Sequence, residues 1–451
     1  MTLNIRKPLT MGLVAAAAAL ALAACGSSGA VDPSSSAPAP ADSSSSASAS
    51  DTPSASETAT DGIDQAAVDL GVKYSGGKAG AADSSLPPVK IGFANQQGGT
   101  PAFPEYEASA DAAVKFINEK LGGVGGHPLE LVKCVLQTEE DGQKCAAQFL
   151  ADPAVKIGIL GTSVVGNATF YKTINGKFPV IVSAAGGVAD STSPHVYELD
   201  GGSAAILQAF AATAKSKGAK TVAVVSTGNA GGKYVAGQVL EPGMKAAGIA
   251  PTVAYVSDTA TAPEYTSAMQ AAGAASADVI VLIASGADMC VNFYNSLKEI
   301  GATAPVLTAY GCYGDPVPTA TGGGPVGWTF FGLNDNQRAD TSPEATLYRN
   351  VMTWADKAKF INVAAAPMAM ADVFAIANMS NSVGFESLSG AAYETAIKTL
   401  PNPLFLVPGT IKCGVYPDKA QVGLCGDSAA VSSYSGTQWQ IDAPFKAVTL
   451  G

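Results

Sequence analysis

The sequence predicts an α/β protein built from two parallel-sheet units in series. Three observations carry that expectation. Strand candidates such as Val89–Ala94 (VKIGFA), Val155–Leu160 (VKIGIL) and Asp278–Ala284 (DVIVLIA) are apolar nearly throughout rather than alternating, as strands covered on both faces must be. Segments of helical spacing separate them, which is how parallel neighbours are joined. The strand–helix rhythm runs to about Leu199 and restarts at Lys220.

The elements follow in order. Val89–Ala94 opens the first unit, and Tyr106–Lys120 brings Ala110, Ala113, Val114 and Ile117 to one helical face. Leu129–Leu136 reads as a strand, Asp141–Leu150 as a helix and Val155–Leu160 as the next strand. Phe178–Ser183 (FPVIVS) and Val196–Leu199 complete the run. In the second unit the strands are Lys220–Ser226 (KTVAVVS), Thr252–Val256, Asp278–Ala284, Pro305–Ala309 and Gly327–Phe331. Tyr234–Ala247, Tyr265–Gly273 and Cys290–Ile300 are the helices between them. Helices return at Ser342–Trp354, Val363–Met379 and Phe385–Leu400, and Thr410–Leu450 reads as short strands and turns. Binary pattern does not say which late element joins which unit.

Ahead of this body lies an export signal. Arg6 and Lys7 precede an Ala- and Leu-rich run, Thr10–Ala24, too short to span a bilayer. Leu22-Ala-Ala-Cys25 and then Gly26 follow, a pattern that resembles the lipobox of bacterial lipoproteins. The likeness implies loss of residues 1–24 and lipidation of Cys25, anchoring the chain on the outer face of the cytoplasmic membrane. Residues 25–84 are expected to form a tether. Ser27 to Thr60 is Ser, Ala, Pro and Asp with almost no large apolar residue, and cannot build a core. The stretch 61–84 is ambiguous, because Ile63, Val68, Leu70, Val72 and Tyr74 could pack on the body.

The 451 residues carry 26 Lys plus Arg against 37 Asp plus Glu, a formal net charge of −11. Nucleic acid, which needs a basic footprint, is excluded as a partner, and broad adhesion to anionic lipid is disfavoured. Of seven cysteines, those other than Cys25 fall as three close pairs. An exported chain meets oxidising conditions, and short loops cost least to close. The expected disulfides are Cys134–Cys145, Cys290–Cys312 and Cys413–Cys425. A metal site is not expected, since the only histidines, His127 and His195, sit at no ligand spacing from a cysteine.

In open α/β sheets ligands sit beyond the carboxyl ends of strands. Four such loops stand out: Asn95–Phe103, Gly161-Thr162-Ser163, Ser183–Gly187 and Ser226–Gly232. Their small residues let backbone N–H groups approach a ligand, and a following helix N-terminus favours a carboxylate. None spells a dinucleotide or Walker sequence, and no nucleophile elbow or zinc-protease motif occurs. No cofactor is therefore expected. Phe103, Tyr106, Tyr310 and Tyr313 flank strand ends, where aromatic walls suit either a small-molecule pocket or core packing.

Several stretches together resemble the substrate-binding lipoproteins of branched-chain amino acid ABC transporters, the type I periplasmic binding class. They are Val89-Lys-Ile-Gly-Phe, the run from Ala112 through Ile117-Asn-Glu-Lys-Leu-Gly-Gly-Val-Gly-Gly-His-Pro to Val132, the Cys134 and Cys145 pair, Ile157–Ser163 and Phe178–Ala185. The resemblance implies two Rossmann-like lobes joined by three crossovers, near 200–204, 325–335 and 402–412. Lobe I would comprise 85–202 plus 332–405, and lobe II 203–331 plus 406–451. It further implies that Thr162, Ser163, Ala184, Ala185 and Gly186 receive a ligand carboxylate. Asn229, Ala230, Ser285, Gly286 and Tyr310 would add contacts from the second lobe. A monomer would capture an amino acid or similar small polar organic solute and deliver it to an ABC permease, without catalysis.

Two departures bear on the ligand. The family's tyrosine near Asn229-Ala230 is replaced by small residues, and its acidic residue near Tyr310-Gly311 is missing; Asp288 and Asp315 are displaced from that point. Two rivals stand beside transport: a ligand sensor of the same fold, and a secreted α/β hydrolase, for which no plausible triad exists.

Overall fold

The computed structural model describes residues 63–99, 101–183, 187–334, 341–363, 365–414 and 422–446. The export signal, Cys25, the tether up to residue 62 and the loop Ala184-Ala185-Gly186 lie outside the described residues.

The apolar strands form two sheets. The first contains Val89–Gln96 (β1), Leu129–Leu136 (β2), Val155–Leu160 (β3), Val180–Val182 (β4) and Val196–Glu198 (β5), in the order β2-β1-β3-β4-β5. All its pairings are parallel. The second contains Thr221–Thr227 (β6), Ala250–Val256 (β7), Val279–Ile283 (β8), Val306–Ala309 (β9), Thr329–Gly332 (β10), Ser428–Tyr434 (β11) and Trp439–Lys446 (β12). Its order is β12-β11-β10-β9-β8-β6-β7, parallel from β7 to β10 and antiparallel through β11 and β12. Burial explains the sequence pattern. Central β8 is buried at every position and reads as pure hydrophobe, whereas the edge strand β12 is largely exposed and the edge strand β7 partly so.

Each sheet is covered on both faces. Alternate residues of β6 divide the second core: Val222 and Val224 pack with Phe210, Leu240 and Met244, while Ala223 and Val225 pack with Tyr265, Phe293 and Trp439. In the first sheet Ile91, Phe93, Ile157 and Ile159 join Phe116 and Phe374 on one side; Leu160 and Val180 join Phe149 and Phe170 on the other. Helices Pro343–Trp354 and Ala366–Val383 pack against helix Pro104–Lys120, so these late elements belong to the first sheet. Helix 366–383 is buried along most of its length, and so it is apolar on nearly every face.

Two features depart from the sequence reading. A helix, Gln65–Ser75, lies inside the expected tether. Asp64 caps it by accepting the Ala67 N–H at 2.8 Å, and Gly76 ends it in the left-handed region. Ile63, Ala67 and Tyr74 are buried, and the Tyr74 hydroxyl donates to Glu344 at 2.6 Å. Residues 63–75 therefore pack on the body, the outcome that the apolar residues of 61–84 allowed. Second, the helix expected over 234–247 starts at Ala230 and passes through a π turn, Tyr234–Leu240, before ending at Ala246. β10 belongs to the second sheet, so the second crossing lies beyond Gly332, which the expected crossing near 325–335 allows.

The crossings are bonded to one another. The third reaches the second sheet only at Ser428, past the expected 402–412, and its residues 423–426 run beside the first: Glu198 N–H donates to Gly423 O at 2.9 Å, Cys425 N–H to Glu198 O at 2.9 Å, and Gly426 N–H to Asp200 O at 2.8 Å. Asn334 Nδ2 donates to Leu406 O at 3.3 Å, tying the second crossing to the third. Gly426 is required there, since a Cβ would lie 2.2 Å from the Asp200 carbonyl carbon.

Candidate ligand-binding site

A cleft of about 450 Å3 is walled from both sheets. Its polar loops all follow carboxyl ends of parallel strands: 99–105 after β1, 162–164 after β3, 227–232 after β6, Asp258 after β7, 283–289 after β8 and 309–313 after β9. This is where the topology of α/β sheets collects ligands. Helix Gly202–Ser216, the first element after the first crossing, lays Ser203, Ile206, Leu207 and Phe210 along the cleft.

The first wall is set by side-chain ties to the loop after β1. Asn95 Nδ2 donates to Phe103 O at 2.8 Å and Gln96 Nε2 to Pro101 O at 2.8 Å, while Gln96 Oε1 accepts the Val164 N–H at 2.8 Å. Phe103, Thr162 and Ser163 are thereby held at the cleft. Ser163 Oγ is engaged by Val165 O at 2.6 Å. Thr162 is 5% exposed and its hydroxyl has no hydrogen-bond partner among the described residues. Glu105, in the first turn of helix 104–120, is 7% exposed and also lines the cleft. Burial pushes its carboxyl up to about 7, and its own backbone N–H lowers it less.

The second wall centres on Asp258. It accepts hydrogen bonds from Ser285 Oγ at 2.7 Å, from Asn229 Nδ2 at 3.0 Å and from the Thr227 hydroxyl. Asn229 also caps its helix by accepting the Gly232 N–H at 2.9 Å. Of the residues singled out from sequence, Phe103, Thr162, Ser163, Asn229, Ser285, Gly286 and Tyr310 line the cleft. Ala230 does not: it is exposed, and Gly231 and Gly232 take its place. Tyr106 is wholly buried instead of facing a ligand, and its hydroxyl donates to Asp372 at 2.5 Å beside Ser183 Oγ at 2.6 Å. Asp288 does reach the cleft, while Asp315 binds Asn362 away from it. Sequence reading missed Glu105, Asp258, Phe210 and Met289. A helix-start carboxylate and an apolar helix face carry no mark that separates ligand contact from dipole or core roles.

Disulfides brace this frame. Cys290–Cys312 joins the helix start beside Ser285-Gly286 to the turn after Tyr310. Cys134–Cys145 joins β2 to helix Glu139–Ala151, and Cys413–Cys425 lies within the third crossing. Both histidines have structural partners: His127 stacks on Phe385 with ring centroids 3.5 Å apart, and His195 Nδ1 lies 2.7 Å from Glu394 Oε1. Among the described residues no His, Cys, Asp or Glu set gathers that could hold a metal ion.

Two sheet lobes with a shared cleft and bonded crossings define a two-lobed solute-binding protein. Residues 88–413 match the model of the periplasmic binding protein family, and the chain belongs to that family. Its members act outside the cytoplasmic membrane and bind solutes; no helix among the described residues is long and apolar enough to cross a membrane. Similar solved structures include a Rhodopseudomonas palustris ABC-transporter solute-binding protein in complex with p-hydroxybenzoic acid, at 16% identity and TM-score 0.67, covering 80% of this chain and 97% of that one. A Thermus thermophilus branched-chain amino acid ABC transporter protein with bound valine is 14% identical at TM-score 0.67, covering 81% and 98%. A Desulfitobacterium hafniense substrate-binding protein in complex with Leu is 15% identical at TM-score 0.60, covering 79% and 100%. At these identities the likeness is one of fold. No curated protein matches the chain in sequence.

Proposed function

We propose that this protein captures a small polar organic solute, an amino acid or a compound of similar size, and passes it to an ABC permease. Lipid on Cys25 and the tether that follows would hold a monomer near that permease. The observation that carries this reading is the cleft itself. Its volume of about 450 Å3 falls within the usual range for small-molecule sites, and its polar groups are supplied by both sheets. Thr162 and Ser163 would receive the ligand from the first lobe; Asn229, Asp258, Ser285, Gly286 and Tyr310 would close on it from the second. A solute that touches both lobes favours the closed form by its differential contacts. Ala184, Ala185 and Gly186 would complete the first-lobe contacts.

A thermal-shift screen of small metabolites, followed by calorimetry on the hits, tests this. At least one solute should raise the melting temperature and bind one-to-one without being consumed. Turnover of the bound compound, or no shift with any amino acid, amine, amide or organic acid, would overturn it.

A further inference from the structure

We infer that the cleft selects a small organic cation, a solute of net positive charge whose ammonium or guanidinium group is recognised by Glu105 from the first lobe and Asp258 from the second. This rests on the solute-binding reading and narrows it to a ligand class.

The charge balance of the wall points there. The described lining includes three carboxyl side chains, Glu105, Asp258 and Asp288, and no Lys, Arg or His. A net-neutral zwitterion brings as much negative charge as positive and leaves that wall uncompensated when the lobes close. An aromatic carboxylate adds repulsion. Of the three carboxyl side chains only Glu105 is buried; Asp258 is half-buried and Asp288 exposed. Closure of the lobes would take more water from all three, a cost that a cationic ligand offsets.

The two acids are built differently. Asp258 is fixed as an acceptor by the hydroxyls of Thr227 and Ser285 and the amide of Asn229. Glu105 is almost fully buried at the cleft wall, and no side chain donates to it among the described residues. An N–H donor from the ligand would meet that carboxyl. The Thr162 hydroxyl, buried, unpartnered and on the same wall, independently marks this side of the cleft as a ligand contact. Phe210 and Tyr310 are also among the lining residues, and aromatic rings attract cations that reach their faces. The formal net charge of −11 draws cations toward the molecule as a whole.

Calorimetry on the full chain at pH 8 tests the assignment, with arginine, agmatine, putrescine and choline set against valine, leucine, 4-hydroxybenzoate and acetamide. At least one cation should bind one-to-one, at least about tenfold more tightly than any neutral or anionic probe. Glu105→Gln should weaken that cation by about tenfold or more, with the melting temperature of the ligand-free protein unchanged or raised. If no cation binds, the assignment is overturned. Binding of valine, leucine, 4-hydroxybenzoate or acetamide in that case leaves solute capture standing. If a cation binds Glu105→Gln as tightly as the natural chain, the role given to Glu105 is wrong.

Discussion

The Thr162 hydroxyl is buried without a partner among the described residues, and a polar group in that state destabilises the ligand-free fold. Thr162→Val keeps the shape and removes the orphan. The variant should melt at or slightly above the natural temperature while its captured solute binds about tenfold more weakly, the worth of one hydrogen bond. Calorimetry beside a melting curve checks both halves, and a fall in melting temperature with full affinity would refute the contact. Glu105 gives a second test, in pH. Burial raises its carboxyl from 4.5 to about 7 in the folded chain, so the folded state holds a proton that the unfolded state has released. Stability from this group is therefore greatest at low pH and is lost as pH rises from about 4.5 through 7. The upper bound is on the order of 3 kcal/mol. Asp258 and Asp288 share the cleft with it, and Tyr348 of helix 343–354 senses its charge. Buried Asp200 and Asp372, also raised, contribute a decline of the same sign. The informative quantity is thus the difference between natural chain and Glu105→Gln: the variant's melting temperature should fall less between pH 5 and pH 8.

At the scale of elements, the disulfide Cys290–Cys312 ties together two strand-end segments that both face the cleft, yet it lies within one lobe. Replacing both cysteines by alanine should cost about 3 kcal/mol of stability, the loop-closure value for this span. The affinity of the folded fraction should change far less. A large affinity loss at natural melting temperature would mean that the bridge shapes the site rather than braces the lobe. The elements themselves differ in how far sequence exposes them. β1, β3 and β8 announce themselves because both faces are buried and their central side chains are apolar. Helix 65–75 does not, because it follows a long core-less stretch and its partners lie nearly three hundred positions away, at Glu344 and Asn378. The cleft divides the same way. Thr162, Ser163, Asn229 and Ser285 sit in short small-residue loops directly after legible strands. Asp258 follows the edge strand β7, whose end at Val256 is legible, but a single carboxylate in a polar turn carries no mark of ligand contact, and Phe210 sits on a helix whose apolar face looks like ordinary core.

Across the whole molecule, the proposed capture requires the crossings to act as one hinge. Hydrogen bonds between residues 198–200 and 423–426 make the first and third crossings a short paired ribbon, and Asn334 adds the second. The Cys413–Cys425 bridge clips this ribbon from one side. Such a joint would restrict the lobes to rotation about the ribbon, and a solute touching Thr162 on one side and Asp258 on the other would draw them together. Small-angle scattering should accordingly show a smaller radius of gyration when the captured solute is added. Gly426 tests the hinge without touching the cleft. A Cβ at this position meets Asp200 backbone at 2.2 Å, and no side-chain rotation can relieve a backbone clash. Gly426→Ala must spread the ribbon, at a cost of about 1–3 kcal/mol in melting stability. Because the spread ribbon changes the balance of open and closed forms, solute affinity should also fall, although every residue that lines the cleft is intact. Scattering should then show a weaker contraction at saturating solute. Natural affinity and full contraction in a variant that melts lower would place the pivot elsewhere and leave the ribbon a purely structural seam.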